Sequence, residues 1–174
     1  MATDTQGEIV NKVKQSDKLI TIDLQKYFDE TPRTELDLKQ FLFKGMILKE
    51  QEFRDSLEEH DWSQYDGQYV GVFCSTDAII SKWAYMLVGQ HLAGHAKDIF
   101  KGQKEDMLFE LYRRNLEGLD WSAYEDKFVI LKGCSSKEKP VPESVYLHAT
   151  QKLVPYVKKL MYGEACSNVP VYRD

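Results

Sequence analysis

The sequence lacks the short motifs that would identify a chemistry directly. Its 174 residues contain only three cysteines, and none of them belongs to a Cys-x-x-Cys pair. There is no Gly-x-Gly-x-x-Gly fingerprint, no P-loop and no His-Glu-x-x-His helix. These absences leave no motif for a dinucleotide-binding enzyme, a P-loop NTPase or a zincin protease.

Charge and hydropathy exclude further classes. A net charge of −5 gives no electrostatic footprint for nucleic acid. No apolar run approaches the roughly 20 residues that span a bilayer, and Met1–Lys18 has no signal-peptide core. An odd number of cysteines without a secretion signal predicts reduced thiols and a cytoplasmic protein. We therefore expect neither a nucleic-acid partner nor a membrane partner.

The most informative feature that is present is an internal repeat. Asp61-Trp62-Ser63-Gln64-Tyr65 returns as Asp120-Trp121-Ser122-Ala123-Tyr124, and each copy precedes an apolar run and a Cys-Ser pair. The pairs are Cys74-Ser75 and Cys134-Ser135. Two of the three cysteines therefore occupy equivalent places in a duplicated unit.

The pattern of apolar residues predicts strand, helix and strand in each copy. We predict strands at 69–73, 98–100, 128–131 and 159–162, with helices at about 80–96 and 143–157 between them. Such units pair their strands in parallel. The expected fold is a single α/β domain over residues 1–174, with helices packed on a mostly parallel central sheet. It divides into a strand and helix extension (1–47), a first copy (48–104) and a second copy (105–174).

Two details of this prediction can be tested against the structure. Thr34-x-x-Asp37 resembles a capping box and predicts that a helix begins there. If the two copies pack about a pseudo-two-fold, their first strands are central neighbours in the sheet. Adjacent strands lie about 4.8 Å apart, so Cys74 and Cys134 would then share one ion or one disulfide.

All three cysteines follow a predicted strand and therefore point to the carboxyl edge of the sheet, where open α/β sheets bind ligands. The predicted metal ligands are Cys74, Cys134 and Cys166. A thiol just before a helix N-terminus has a lowered pKa, and its thiolate binds metal and attacks electrophiles. The residues that would support such a site are the following: Ser75, Asp77, Ser135 and Ser167. Ser75 and Ser135 would cap helices or donate to a thiolate, and Asp77 would cap a helix or supply an oxygen ligand.

The longer part of the repeat, Asp-Trp-Ser-x-Tyr, precedes the first strand of each copy and so lies at the edge of the sheet opposite to the cysteines. We interpret it as scaffold that turns the chain and buries Trp62 and Trp121.

Three functions stay open at this point. The first is an accessory protein that binds zinc or an iron–sulfur cluster through its three cysteines. The second is a thiol redox or thiol-transfer enzyme that uses Cys74 and Cys134. The third is a non-catalytic interaction domain in which the cysteines are small buried hydrophobes.

Three segments resemble a bacterial family of unknown function. They are Cys74-Ser75-x-Asp77-Ala78-Ile79, Lys132-Gly133-Cys134-Ser135 and Tyr162-Gly163-Glu164-x-Cys166-Ser167-x-Val169-Pro170. The resemblance covers almost the whole chain from about Glu8. Genes of that family are often neighbours of iron–sulfur cluster assembly genes. The resemblance thus implies iron–sulfur assembly proteins as partners and carries over no catalytic residue.

Overall fold

The computed structural model describes residues 18–133 and 136–174. Their strands are β1 (Leu19–Ile22), β2 (Arg33–Asp37), β3 (Tyr69–Phe73), β4 (Asp98–Lys101), β5 (Phe128–Lys132), β6 (Lys159–Glu164) and β7 (Ser167–Arg173). Their α-helices are α1 (Glu50–Glu59), α2 (Lys82–Leu92), α3 (Lys104–Glu117) and α4 (Glu143–Leu153).

The chain divides into two compact units. The central unit is Asp29–Arg114, and the terminal unit joins residues 18–28 to Asn115–Asp174. The boundary falls inside α3, so the last residues of that helix are counted with the terminal unit.

The central unit is built on a three-stranded parallel sheet in the order β2-β3-β4. The middle strand β3 is an almost continuous apolar run, and its first four residues are buried, as expected for a strand covered on both faces. Helix α2 buries Ala84, Val88 and Leu92, which recur at the four-residue spacing of one helix face. The core of this unit therefore forms where α1 and α2 pack with the sheet.

The terminal unit is built on a four-stranded sheet in the order β1-β5-β6-β7. Strands β1, β5 and β6 are parallel, and β7 returns antiparallel beside β6. Helix α4 connects β5 to β6 and buries Val145, Ala149 and Leu153. This sheet is mixed because the chain ends in a hairpin.

A mixed α/β fold is confirmed, but the single central sheet was a wrong prediction. The structure has two sheets, and β3 and β5 belong to different ones. The first strands of the two copies are therefore not neighbours in a sheet. The reason is that each pairs with an N-terminal strand, β5 with β1 and β3 with β2.

The helix predicted from Thr34 was also wrong. Residues Arg33–Asp37 form β2, which pairs with β3 along its whole length. Asp37 instead caps the short 3-10 helix Leu38–Phe41 that follows the strand. Leu36 and Leu38 are fully buried, so pairing with an apolar neighbour overrode the local capping signal.

The division into 1–47, 48–104 and 105–174 within one domain stays a prediction. Among the described helices none is long and apolar enough to cross a membrane.

Candidate functional site at the carboxyl edges of the sheets

The two Asp-Trp-Ser elements form the same small turn. Asp61 Oδ1 accepts hydrogen bonds from the backbone N and the hydroxyl of Ser63 at 3.0 and 2.6 Å. Asp120 Oδ1 accepts the same two bonds from Ser122 at the same two distances. These turns precede β3 and β5. Trp62 is buried beside the first of them, but Trp121 in the second is only half-buried, so its predicted burial was wrong. Their contacts agree with a role in the scaffold.

The opposite edge of the central sheet is organised by Asp37. Its Oδ1 accepts a hydrogen bond of 3.0 Å from the backbone N of Lys39, which caps the N-terminus of the 3-10 helix Leu38–Phe41. The same oxygen accepts a second bond of 3.0 Å from the backbone N of Ser75. Asp37 therefore ties the loop after β3 to the end of β2.

Cys74 lies half-buried at the start of this loop. Its Sγ is 3.3 Å from the hydroxyl of Thr76, which in turn donates to the carbonyl of Gly45 at 3.2 Å. The side chain also packs against the core of the central unit. Burial and the nearby Cys74 raise the pKa of Tyr85. These contacts match the alternative in which Cys74 is a small packing residue.

The predicted helix caps after Cys74 were wrong. Helix α2 begins at Lys82 and its N-cap is Ser81, so residues 75–81 separate the thiol from the helix. Neither Ser75 nor Asp77 caps it. Asp77 is exposed and lines a groove of about 440 Å³ together with Ile79 and Trp83. Helix α4 likewise begins after Pro142. The capping predicted for Ser135 lies outside the described residues.

Replacing Asp37 should show how much its hydrogen bonds contribute to the free energy of unfolding. Burial alone would raise the pKa of its carboxyl, but hydrogen bonds from Ser75 and from the N–H of Lys39 outweigh it, so the pKa lies below 3.8. We expect Asp37→Ala to lower the free energy of unfolding by about 1–2 kcal/mol, since a capping carboxylate is lost. The carboxylate stabilises the fold above pH 3.8, and this contribution is lost as the pH falls through the lower folded pKa.

Asp37→Asn keeps an acceptor but cannot titrate, so its acid unfolding should begin at lower pH than that of the parent. Urea unfolding at a series of pH values measures both variants, with Asp55→Asn on the exposed face of α1 as the matched control. Equal loss of stability in Asp37→Ala and in the control variant would contradict the role of Asp37.

The corresponding edge of the terminal sheet carries an ion pair. Asp23 caps the 3-10 helix Leu24–Tyr27 by accepting from the N of Gln25 at 3.1 Å. Its Oδ2 accepts from the ammonium of Lys132 at 2.9 Å. Burial acts to raise the pKa of Asp23, but the bonds from Lys132 and Gln25 outweigh it and the pKa is lowered. In the central sheet, the residue paired with Asp37 is Phe73. The ion pair between Asp23 and Lys132 therefore has no counterpart at that position of the central unit.

Cys134 and Ser135 lie outside the described residues, but the residues on both sides of them are held. The hydroxyl of Tyr146 donates to the carbonyl of Lys132 at 2.9 Å, and that of Tyr162 donates to the carbonyl of Gly133 at 3.2 Å.

On the C-terminal side of Cys134 and Ser135, the side-chain amide of Gln25 donates to the Ser136 hydroxyl at 3.2 Å and to the Lys139 carbonyl at 2.7 Å. Neighbouring elements of the terminal unit thus anchor the chain before and after the Cys134 segment.

Cys166 lies exposed in the tight turn of the β6–β7 hairpin. Ser167 is the first residue of β7 and pairs with Glu164. Because Lys132 of β5 is paired with Gly163 of β6, Cys166 follows its strand at the edge at which β5 also ends. An exposed thiol is available to a metal, an oxidant or a partner.

Within residues 18–133 and 136–174, no three His, Cys, Asp or Glu side chains are grouped as metal ligands. Cys74 belongs to the central unit and Cys166 to the terminal unit. The three-cysteine site therefore stays a prediction.

The sequence interpretation missed Asp23 and gave Asp37 the wrong role, in a capping box with Thr34. Asp23 follows β1 and Asp37 is the last residue of β2. Each begins the same element, Asp-Leu-x-x-aromatic, which ends at Tyr27 in one case and Phe41 in the other. This short repeat was the available signal. It was overlooked because the longer Asp-Trp-Ser-x-Tyr repeat is more conspicuous.

Comparison with known proteins gives one assignment. Residues 7–174 match a family model described as "Protein of unknown function (DUF2480)". No curated protein and no solved structure matches the chain. The family-level resemblance expected from the cysteine motifs is thereby confirmed.

Proposed function

The chain belongs to this family of proteins of unknown function, and we propose that it is an accessory protein that binds zinc or an iron–sulfur cluster through cysteine thiolates. The observation that carries the proposal lies in the terminal unit. Strands β5 and β6 are parallel neighbours that end at one edge of one sheet, and in the sequence Cys134 comes two residues after β5 and Cys166 two residues after β6. Neighbouring strands about 4.8 Å apart suit a shared ion, since two sulfurs on one tetrahedral zinc lie roughly 3.5–4 Å apart.

The proposed site is open. Two protein thiolates leave coordination positions for a further ligand, as in catalytic and transfer sites rather than closed structural ones. Cys74 is the third cysteine of the proposal, and the metal content of a Cys74→Ser variant tests whether it binds the metal. The partners that we propose are iron–sulfur assembly proteins, which the resemblance described under the sequence analysis implies.

We also infer that the two units derive from a duplication. Each contains a strand with a capping aspartate, an Asp-Trp-Ser turn, and a parallel strand–helix–strand. Gly102 follows β4, and Gly163 lies near the end of β6. Their φ values are nearly equal, at 129° and 128°. The exposed Met86 and Leu147 stand at matching positions of α2 and α4.

Anaerobic purification followed by metal analysis and a visible spectrum tests the proposed function. The parent protein should carry zinc or show iron–sulfur absorption. The double variant Cys134→Ser/Cys166→Ser should lose the metal, with zinc affinity falling more than about a hundredfold, because it removes ligands rather than their supports. A lower metal content in Cys74→Ser would add that thiol to the site.

Ala165→Ser is the matched control, since it places a hydroxyl beside Cys166 in the same turn and leaves the thiol in place. It should bind metal like the parent. A parent protein that stays metal-free after anaerobic reconstitution, or a double variant with unchanged affinity, would overturn the proposal.

The exposure of Cys166 favours a second candidate, a thiol–disulfide exchange protein. Two of its thiols would form a disulfide while a partner's disulfide is reduced to two thiols, so electrons and protons balance. This candidate expects a reversible disulfide and pH-dependent alkylation in metal-free protein. Mass spectrometry after oxidation and alkylation separates it from the metal-binding function.

A further inference from the structure

Three of the four histidines of the chain lie at the Asp-Trp-Ser turn of the central unit. The ring of His60 meets the indole of Trp62 edge to face at 4.8 Å, and the ring of His91 stacks on the same indole at 4.9 Å. His95 follows α2, and its Nδ1 is hydrogen-bonded to the carboxylate of Asp66. We name these residues, His60, His91 and His95, the histidine cluster.

The contacts of His60 require a neutral ring. Its Nε2 lies 3.0 Å from the hydroxyl oxygen of Tyr65 and 3.3 Å from the amide nitrogen of Gln64. The same amide nitrogen donates to the carbonyl of Asp61 at 2.6 Å, which fixes its orientation. Because an amide nitrogen only donates hydrogen bonds, Nε2 must accept one, and the proton of the ring lies on Nδ1.

The surroundings of His60 also oppose a positive charge. Its ring packs edge to face against Phe41 at 5.1 Å as well as against Trp62. Burial lowers the pKa of His60 below 6.5, and this effect outweighs that of the Asp61 carboxylate, which acts to raise it. Further titratable groups at this turn are the following: Tyr65, Asp66, His91 and His95. A proton on His91 would place a second positive charge against the same indole, and like charges repel.

The terminal unit has the same turn without the histidines. In the repeat, the positions that match the histidine cluster hold the following residues, in the same order: Leu119, Lys152 and Tyr156. Both turns form the same hydrogen bonds between the aspartate and the serine. The turn therefore forms without histidine, and the cluster adds a property that is particular to the central unit.

We propose that the histidine cluster makes the Asp-Trp-Ser turn of the central unit a pH-sensitive switch, which opens when His60 gains a proton. A protonated Nε2 cannot accept from Gln64, and its charge is held against Phe41 and Trp62. The unfolded chain has the ordinary pKa of 6.5 and the folded chain a lower one. The stabilisation is therefore complete above pH 6.5 and is lost as the pH falls through the folded pKa. The switch lies at the sheet edge opposite to the cysteines and is independent of the thiol chemistry.

Hydrogen exchange of the full chain at pH 8 and pH 5, expressed as protection factors, tests the proposal. The backbone amides of Tyr65, Asp66 and Gln68 are bonded within the turn. Their protection should fall about fivefold at pH 5, which corresponds to the loss of one hydrogen bond. The amides of Glu125 and Lys127, which make the matching bonds in the terminal unit, should keep their protection.

Two variants of His60 separate the switch from a general effect of acid. His60→Leu introduces the residue that the terminal copy carries at this position, and it should abolish the pH dependence at the central turn. His60→Gln keeps a polar side chain that does not titrate, and it should do the same. His148→Gln is the matched control, since it removes the fourth histidine, on α4 of the terminal unit, and should leave the pH dependence as in the parent.

Three results would overturn the proposal. The first is equal protection of the central turn at pH 8 and pH 5 in the parent. The second is a pH dependence that persists in the His60 variants. The third is an equal loss of protection in the two turns, which would indicate acid unfolding of the whole chain. A titration of the His60 ring protons by NMR with a midpoint at or above pH 6.5 would contradict the proposal independently.

Discussion

Replacing Gly163 by alanine is expected to lower the free energy of unfolding of the terminal unit by about 3 kcal/mol or more. Gly163 has φ 128°, a conformation that L side chains rarely adopt. A Cβ added there would lie 2.6 Å from the carbonyl oxygen of Ser167, on the neighbouring strand β7. Backbone strain and a clash with backbone therefore act together, and the β6–β7 hairpin has to open to relieve them.

Gly89→Ala is the matched control, since it adds the same methyl group at another glycine. Gly89 lies inside α2, and a Cβ there meets nothing within 4 Å. It should stabilise the helix by about 0.5–1 kcal/mol. Urea unfolding gives the free energies, and hydrogen exchange in β6 and β7 locates the change. A Gly163→Ala variant as stable as the parent would contradict the geometry of this hairpin.

The second large effect is expected at Leu153. This side chain of α4 is fully buried, and truncation to alanine removes its contacts and leaves a cavity. We expect a loss of about 2–5 kcal/mol. Leu147 lies on the same helix but is 72% exposed, so Leu147→Ala should change stability by less than about 0.5 kcal/mol.

Thermal and urea unfolding of the two variants measure this contrast between identical substitutions. Similar losses at both positions would mean that α4 does not bury the Val145, Ala149 and Leu153 face. A marked loss in Leu147→Ala alone would contradict the exposure of that side chain.

The elements within each copy were predictable because their signals are local. The apolar run Tyr69–Phe73 predicted β3 with the same bounds that the structure gives. The apolar periodicity of α2 and α4 was read correctly, although both helices are shorter than predicted. Helix ends depend on caps and loop contacts, which periodicity does not encode.

The arrangement of strands into sheets was not predictable in the same way. Leu19 pairs with Phe128, from which most of the chain separates it in sequence. No local pattern specifies such a distant partner. The strand β2 is short and polar apart from Leu36, so its helix-like capping signal was misleading. Pairing with the buried strand β3 decided its conformation.

The candidate site was predicted in part. The positions of Cys74 and Cys166 after strands are confirmed, because the end of an apolar run is visible in sequence. The roles of Asp23 and Asp37 at these edges were not predicted, and neither was the anchoring of Lys132 and Gly133 by tyrosine hydroxyls. Those contacts join residues far apart in the chain, and they exist only once the sheet has formed.

The pairing of β1 with β5 has a consequence for biosynthesis. The strand that leaves the ribosome first among the described elements waits for a partner made after the whole of Asp29–Arg114. The inserted stretch has its own parallel sheet and core, so it can fold while β1 is still unpaired. Closure of the terminal unit is therefore a late step, and its long-range pairing is expected to be slow. Until then β1 and β5 expose unpaired strand edges, and this interval is when the nascent chain is most open to aggregation and to chaperones.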